Sequence, residues 1–272
     1  MVIEDSSTSC TPPYLRPPDV AAAWRDRGAA ASYRHRPQYP PETFDILAAL
    51  IVDQPRAVLD LGCGTGNVAR PLAPRVDRVD AVDSSAAMIG EGRRLPGGDH
   101  PGLSWIVGRA EDVELQPPYA LVTAGDSLHW MDWTVVLPRL ADLLSPNGRF
   151  AMLDVNGEVV GESEELRRGC RELVQRYATY RRPGIDLPRE VQRRGLFREE
   201  GRRDTAAVPL RQSVEDYVES FHARVALAWG RMKPDDAAAF DAALSTLVRA
   251  HLGDTVELAV HGSVLWGKPL RP

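Results

Sequence analysis

Three glycines at alternate positions break an apolar run, and an aspartate closes the apolar run that follows. The glycines are Gly62, Gly64 and Gly66, with Asp60 just ahead of them and Asp83 at the end of the next run. Glycines let a backbone approach a ligand closely, and a carboxylate accepts hydrogen bonds from both hydroxyls of a vicinal diol. The pattern predicts a site for a nucleoside-containing cofactor.

The spacing of the glycines distinguishes between cofactor classes. A dinucleotide-binding loop usually has the spacing GxGxxG, which places a pyrophosphate at a helix N-terminus. The sequence here has GxGxG and shows no other phosphate-binding feature. A nucleoside without phosphates therefore fits better. An NAD-dependent oxidoreductase and a non-catalytic cofactor-binding protein remain as alternatives.

Several segments, in this order along the chain, resemble one family. The motif DLGCGTG (60–66) resembles the first motif of class I S-adenosylmethionine-dependent methyltransferases. GRAEDVEL (108–115) is similar to the segment that lines the adenine in that family. YRHRPQYP (33–40) and SVEDYVESFHAR (213–224) resemble small-molecule members of the trans-aconitate methyltransferase-like branch.

The resemblance implies S-adenosyl-L-methionine as cofactor, S-adenosyl-L-homocysteine as product, and a small-molecule acceptor with an oxygen, nitrogen or carbon nucleophile. It places the glycine loop against the methionine part, Asp83 on the ribose and residues 110–112 at the adenine. The residues implied to bind the cofactor are Tyr33, Arg36, Asp60, Gly62, Cys63, Gly64, Gly66, Asp83, Ser84, Met88, Ala110, Glu111, Asp112 and Gly125.

Methyl transfer by in-line displacement needs the nucleophile held behind the methyl group, and a hydroxyl or protonated amine also benefits from a general base. His129, in YALVTAGDSLHWMDW (119–133), is the candidate catalytic base, although packing under the adjacent tryptophan or capping a turn are equally open roles. Trp130 and Trp133 could wall an acceptor site, but a role as core anchors is favoured. Asp126 could contact the methionine amino group or cap a turn.

Other candidates lie at the two ends of the chain. Arg34 and Arg36 could pair with a carboxylate of the cofactor or the substrate, or lie on a solvated helix face. In the C-terminal part, His222, Trp229, His261 and Trp266 could line an acceptor pocket. Each of these four alone is more consistent with a structural role.

Alternating strands and helices would position these residues. The predicted strands are 57–61, 78–83, 103–108, 119–125 and 149–155. They are mostly apolar throughout, as expected when helices cover both faces of a parallel sheet. The sequence thus predicts an α/β, Rossmann-like, doubly wound and mostly parallel sheet. Two N-terminal helices would precede the first strand.

The rest of the predicted organisation is a single domain over 19–272. It has a core at 56–155, a helical elaboration with a later strand at 156–254, and a closing strand at 255–267. Residues 1–18 predict a flexible arm. SPNG (145–148) predicts a turn between a helix and its strand. Pro71 predicts a short or kinked helix after the glycine loop.

Composition narrows the possible partners. The 272 residues include 33 basic and 38 acidic side chains, a net charge of −5, which gives no general attraction to nucleic acid or to anionic membranes. Three widely spaced cysteines indicate neither a disulfide framework nor a thiolate metal site. No export signal or membrane-spanning run is evident, so a cytoplasmic protein without a metal is expected. The sequence does not indicate an oligomeric state.

Overall fold

A mixed β-sheet with flanking helices forms the centre of the protein. The computed structural model describes residue 20, residues 27–181 and residues 184–271, so the predicted arm at 1–18 lies outside the described residues. Within those residues the sheet has eight strands in the order β3-β2-β1-β4-β5-β8-β6, and β7 also pairs with β8.

The strands are β1 (Ala57–Leu61), β2 (Arg78–Asp83), β3 (Leu103–Val107), β4 (Tyr119–Gly125), β5 (Leu144–Val159), β6 (Phe197–Asp204), β7 (Val208–Ser213) and β8 (Thr255–Pro269). The α-helices are α1 (Arg27–Ser32), α2 (Pro41–Leu50), α3 (Ala69–Leu72), α4 (Ala86–Gly92), α5 (Trp133–Leu143), α6 (Glu164–Tyr177), α7 (Leu187–Arg193), α8 (Val214–His222) and α9 (Pro234–Leu252). Short 3₁₀ turns cover Tyr33–His35, Ala73–Arg75, Leu128–Trp130 and Val225–Leu227.

Strands β1 to β5 are parallel, and the sheet order reverses at β1. Strand β1 pairs with β2 on one side and with β4 on the other, so that Val58 lies opposite both Val79 and Leu121. Every residue of β1 is buried, which explains its apolar composition. In such sheets ligands bind beyond the carboxyl ends of the strands where the order reverses. The ends of β1 and β4 therefore mark the place to look for a site.

The C-terminal third completes the sheet with antiparallel strands. β8 runs antiparallel to β5, β6 and β7. Helices α6, α8 and α9 pack against this part through an apolar cluster that includes Leu166, Phe221 and Phe240. The predicted helical elaboration with a closing strand corresponds to this region.

The segment predicted as a turn, SPNG, lies inside β5. Leu144 pairs with Tyr119, and the register shifts before Leu121 pairs with Arg149. The Asp53 carboxylate accepts hydrogen bonds from Ser145 Oγ at 2.6 Å and from the backbone N–H of Asn147 at 2.8 Å. These bonds satisfy the polar groups of an irregular strand, so the prediction of a separate turn was wrong.

Two other local predictions have clear outcomes. Helix α3 spans only Ala69–Leu72 and passes into the 3₁₀ turn Ala73–Arg75, which confirms the short helix expected from Pro71. Trp133 is 1% exposed, and its indole N–H donates to the backbone oxygen of Leu128 at 2.8 Å. Trp133 is therefore a core anchor and not a wall of an open pocket.

Candidate functional site

The loop after β1 has a backbone that only glycine adopts easily. Gly62, Gly64 and Gly66 have φ values of +64°, +56° and +80°. The neighbouring side chains also leave no room for a Cβ, because a Cβ on Gly66 would lie 2.5 Å from Cη2 of Trp105. Both constraints make the backbone of this loop bare and closely packed, as the GxGxG spacing predicts.

Asp83, at the end of β2, ties this loop to the neighbouring strand. Its Oδ2 accepts a hydrogen bond from the Gly64 N–H at 2.8 Å, and its Oδ1 accepts one from the Ser85 N–H at 2.7 Å. Burial raises the pKa of Asp83, while these two N–H groups act in the opposite direction. Met88 of α4 is buried beside the loop, whereas Ser84 is exposed.

Asp60 is a buried carboxyl group below the loop. Its side chain is 1% exposed, and Thr123 Oγ1 donates to its Oδ1 at 2.8 Å. Its Oδ2 is buried and makes no hydrogen bond of normal geometry among the described residues, although the backbone N–H of Ala69 lies near enough to the carboxyl to lower its pKa. Burial raises the pKa of Asp60 to about 7. The structure thus holds a buried acceptor oxygen whose hydrogen bonding is incomplete.

The opposite lip of the site combines the end of β4 with the segment after α1. Arg36 pairs with the Asp126 carboxylate at 3.1 Å and donates to the Tyr33 hydroxyl at 3.1 Å. Asp126 has a φ of +46°, which is strained for a residue other than glycine. A Cβ on Gly125 would lie 2.7 Å from the Tyr39 hydroxyl. Burial raises the pKa of Tyr33 and of Tyr39, so both hydroxyls keep their protons.

A cleft of about 420 Å³, which includes space open to solvent, lies between these elements. The predicted cofactor-binding residues that line it are Tyr33, Arg36, Asp60, Gly62, Cys63 and Gly125. It is also lined by Tyr39 and Asp126, and by four residues that the sequence did not indicate, namely Pro37, Asn67, Val68 and Val155. Asn67 and Val68 directly continue the glycine loop and Pro37 follows Arg36, so adjacency in the sequence was a usable signal for these three, whereas Val155 reaches the cleft only through the tertiary fold.

Cys63 lies in this cleft as a protonated thiol. It is 8% exposed, and burial raises its pKa well above the usual value. A thiolate, the reactive form, is therefore disfavoured here.

The segment predicted to contact the adenine lies beyond the cleft lining. Ala110 is buried, and its backbone oxygen accepts a hydrogen bond from Arg139 at 2.5 Å. Glu111 Oε1 accepts a hydrogen bond from the backbone N–H of Asp132 at 3.0 Å, at the start of α5. Asp112 is exposed. The side chain of Glu111 thus has a structural bond already, and its role toward an adenine stays a prediction.

His129, the candidate base, lies next to the cleft but not among the residues that line it. Its Nδ1 is 3.8 Å from Oδ1 of Asp126, which does line the cleft. Its ring packs against Trp130 with the centroids 5.2 Å apart. Both the catalytic role and the packing role remain compatible with this position.

The C-terminal candidates divide into internal and peripheral positions. His222 is fully buried, with Nδ1 2.6 Å from the Leu227 oxygen and Nε2 2.8 Å from the Asp241 carboxylate, and it stacks on Trp229. These contacts give His222 a structural role.

Trp266 packs against Gly201, since a Cβ placed on Gly201 would lie 2.5 Å from the indole of Trp266. His261 lies in β8 opposite Asn156. Arg34 is exposed.

The described residues contain neither a metal-binding cluster nor a membrane-spanning helix. In that part of the chain, no group of three or more histidine, cysteine, aspartate or glutamate side chains could hold a metal ion. Over the same residues, none of the helices has the length and the apolar character needed to cross a membrane.

Comparisons with known proteins agree with this geometry. Residues 58–148 match the family model described as a methyltransferase domain. An uncharacterized methyltransferase of Mycobacterium tuberculosis is 32% identical over 157 residues, which is 57% of this chain and 60% of that protein. A trans-aconitate 2-methyltransferase of Methylobacterium nodulans is 33% identical over 111 residues, 40% of this chain and 42% of that protein. The chain thus spans no more than about three fifths of these curated relatives.

A solved structure extends the similarity of fold over most of the chain. The structure of a candidate type II methyltransferase from Anaeromyxobacter dehalogenans covers 86% of this chain and 97% of its own, with a TM-score of 0.64 and 22% identity. This match supports a similarity of fold and no further similarity. The matched segment 58–148 includes the glycine loop, Asp83 and the end of β4, so this part of the chain is similar to a methyltransferase domain.

Proposed function

We propose that this protein transfers a methyl group from S-adenosylmethionine to a small-molecule acceptor. The observation that carries the proposal is the glycine loop tied to Asp83, next to the incompletely hydrogen-bonded oxygen of Asp60. The loop offers its backbone at close range, and Asp60 offers an acceptor to a positively charged group. An amino acid attached to a nucleoside matches both features.

The residues around the cleft fit the cofactor in chemistry as well as in shape. The methionine ammonium would complete the hydrogen bonding of Asp60 Oδ2. Arg36, held by Asp126, offers a cation for the methionine carboxylate. Asp83 would accept hydrogen bonds from the ribose hydroxyls, as predicted from the sequence.

The chemistry requires positioning more than activation. When bound, S-adenosylmethionine would supply a methyl group attached to a positively charged sulfur. An electron pair of the acceptor would form the new bond to the methyl carbon, and the electrons of the carbon–sulfur bond would stay on sulfur. The product would be S-adenosylhomocysteine. The protein's contribution is to hold the acceptor in line behind the methyl carbon and to exclude water. His129 would take a proton from an acceptor hydroxyl or ammonium.

The class of acceptor is inferred from the relatives. The name of the Methylobacterium relative gives a small organic acid as its acceptor, and that protein matches only 40% of this chain. A small organic molecule is therefore the class we propose. The charge of the protein, −5, is consistent with an acceptor that is not a nucleic acid.

The test is a titration of the full chain with S-adenosylhomocysteine, followed by a parallel titration with NADH. We expect saturable binding of the nucleoside thioether and none of the dinucleotide. A methylation screen with labelled S-adenosylmethionine then tests whether the protein transfers the methyl group to an acceptor. Binding of NADH alone would replace the proposal with an oxidoreductase, and cofactor binding without transfer to any acceptor would indicate a non-catalytic binding protein.

A further inference from the structure

Asn67 directly follows the glycine loop and lines the cleft, and its amide group has one defined orientation. Its Oδ1 accepts a hydrogen bond from the Arg70 guanidinium at 3.1 Å and another from the Thr65 hydroxyl at 3.3 Å. A guanidinium only donates hydrogen bonds, so the oxygen of Asn67 must face Arg70 and the nitrogen must point elsewhere. The NH₂ group is therefore the polar group that Asn67 can offer to the cleft.

Arg70 is held firmly behind the loop. Its Nε donates to the Thr65 backbone oxygen at 2.9 Å, and its Nη1 donates to the Pro96 backbone oxygen at 2.8 Å. With the hydrogen bond from Nη2 to Asn67, each of its three nitrogen atoms has an acceptor. Turning the Asn67 amide over would bring its NH₂ group against this cation, so the network keeps the amide in a single orientation.

The amide nitrogen of Asn67 makes no hydrogen bond to the residues that the structure describes. Both hydrogen bonds of the side chain end on Oδ1. Asn67 is only partly buried, so a molecule in the cleft can reach the amide. Two N–H groups are thus available to an acceptor atom of a ligand, and each such hydrogen bond adds to the free energy of binding.

The neighbourhood of Asp60 indicates which ligand group would meet Asn67. The backbone N–H of Ala69, two residues after Asn67, lies near enough to the Asp60 carboxyl to lower its pKa. Asn67 and Asp60 also line the same cleft. The proposed partner of Asp60 is the ammonium of the methionine part, and in an α-amino acid the ammonium and the carboxylate share one carbon. The carboxylate would therefore lie beside the Asn67 amide.

Arg36 alone is not sufficient for a carboxylate in this cleft. Its guanidinium pairs with the Asp126 carboxylate at 3.1 Å, so the pair as a whole carries no net charge. A carboxylate taken from water into the cleft needs hydrogen-bond donors for its two oxygens. A primary amide whose oxygen is already bonded supplies such donors without adding a charge.

We infer that Asn67 binds the carboxylate at the amino-acid end of the cofactor through its amide NH₂ group, and that Arg70 is a positioning residue that fixes this amide. Asn67 thus selects ligands that carry the carboxylate. The inference rests on the proposed methyltransferase function, and it adds a binding residue that the sequence did not indicate.

The experiment measures how strongly the full chain prefers a ligand with the carboxylate. S-adenosylhomocysteine carries the carboxylate, whereas S-adenosyl-3-thiopropylamine has the same nucleoside and an ammonium but no carboxylate. The preference is the ratio of their two dissociation constants, measured by calorimetry. Asn67→Asp keeps the oxygen that faces Arg70 and replaces the NH₂ group with a negatively charged oxygen. It should weaken binding of S-adenosylhomocysteine by about tenfold or more and leave the analogue bound at least as tightly as before.

Two further variants test the amide without a new charge and without its support. Asn67→Ala removes the donors and adds no charge, so it should weaken binding of S-adenosylhomocysteine by about fivefold and leave the analogue unaffected. Arg70→Gln leaves Asn67 in place but allows its amide to turn. It should lower the preference for the carboxylate while the analogue still binds.

The matched control is Gln116→Glu, which makes the same change from amide to acid at an exposed position outside the cleft lining. The side-chain oxygen of Gln116 also accepts a hydrogen bond from an arginine, Arg78, at 3.4 Å. This variant should bind both ligands as the parent protein does. An Asn67→Asp variant that keeps the parent preference, or that weakens binding of both ligands equally, would overturn the inference. Failure of the parent protein to bind S-adenosylhomocysteine would instead overturn the proposed function.

Discussion

The carboxylate of Asp83 accepts a hydrogen bond from the backbone N–H of Gly64 at 2.8 Å, so the acid at the end of β2 holds the loop that follows β1. The same carboxylate also accepts the N–H of Ser85 at 2.7 Å, at the start of α4. One side chain therefore fixes the shape of the loop and presents an acceptor at the sheet edge. A carboxylate suits this position because each of its two oxygens accepts one of these backbone N–H groups.

Replacing Asp83 with asparagine should weaken cofactor binding. The amide has one acceptor oxygen, so it cannot accept from both N–H groups and from a ribose hydroxyl. We expect the dissociation constant of S-adenosylhomocysteine, measured by calorimetry, to rise at least tenfold. Asp99→Asn changes an exposed carboxylate and serves as the control. An unchanged dissociation constant for Asp83→Asn would contradict a role in binding.

Asp60 should make the free energy of unfolding depend on pH. Its folded pKa of about 7 lies above the ordinary value of 3.8, so the folded state binds more protons than the unfolded state between pH 4 and pH 7. Its contribution is therefore present below pH 4 and is lost as the pH rises through 7, by up to about 4 kcal/mol.

Denaturant unfolding of the protein without cofactor, between pH 4.5 and 8, measures this effect. Asp60→Asn cannot ionise, so its stability relative to the parent protein should increase steadily with pH. Asp99→Asn should show a constant difference over the same range. A constant difference for Asp60→Asn as well would mean that Asp60 does not titrate in this window.

Two glycine-to-alanine substitutions, one in the loop and one in the neighbouring helix, test whether the loop conformation constrains stability. Gly66→Ala should lower the free energy of unfolding by about 2 kcal/mol or more, because φ is +80° and the new Cβ would lie 2.5 Å from Trp105. Gly90→Ala lies within α4 with no atom near the new Cβ, so it should be neutral or stabilising by up to about 1 kcal/mol. Thermal and denaturant unfolding report both values. Equal effects of the two substitutions would show that the loop conformation imposes no constraint.

The sequence predicted the parallel core well because local signals agreed there. β1, β2 and β4 begin and end at the predicted residues, since buried apolar runs are bounded by turn residues on both sides. The predicted strand at 149–155 was too short at both ends, because Leu144–Val159 pairs irregularly with β4 and then along β8. The energy of such pairing depends on partners distant in sequence.

The site was predictable in part for the same reason. The glycine loop and Asp83 lie within one stretch of chain, and their contact follows from neighbouring parallel strands. The pairing of Arg36 with Asp126 joins residues 90 positions apart. The hydrogen bond from the Asp132 N–H to Glu111 likewise depends on how α5 packs. No local pattern encodes such contacts.

His129 gives the sharpest test of catalysis. If it is the general base, His129→Gln should lower kcat by about 10²- to 10⁴-fold with an acceptor found in a methylation screen, because proton removal is then slower. S-adenosylhomocysteine binding should stay unchanged, because His129 does not line the cofactor cleft. His251→Gln, at an exposed position on α9, is the control.

The alternative role of His129 predicts a different pattern. A side chain that only packs on Trp130 would cost stability when replaced, and kcat would fall little once the variant is folded. Comparing kcat of the variant and the parent protein at a temperature well below the unfolding transition distinguishes the catalytic role from the packing role. Catalysis by His129 also predicts that the acid limb of the kcat/KM profile disappears in the variant. A retained acid limb with normal kcat would place proton transfer elsewhere, or identify an acceptor that needs no base.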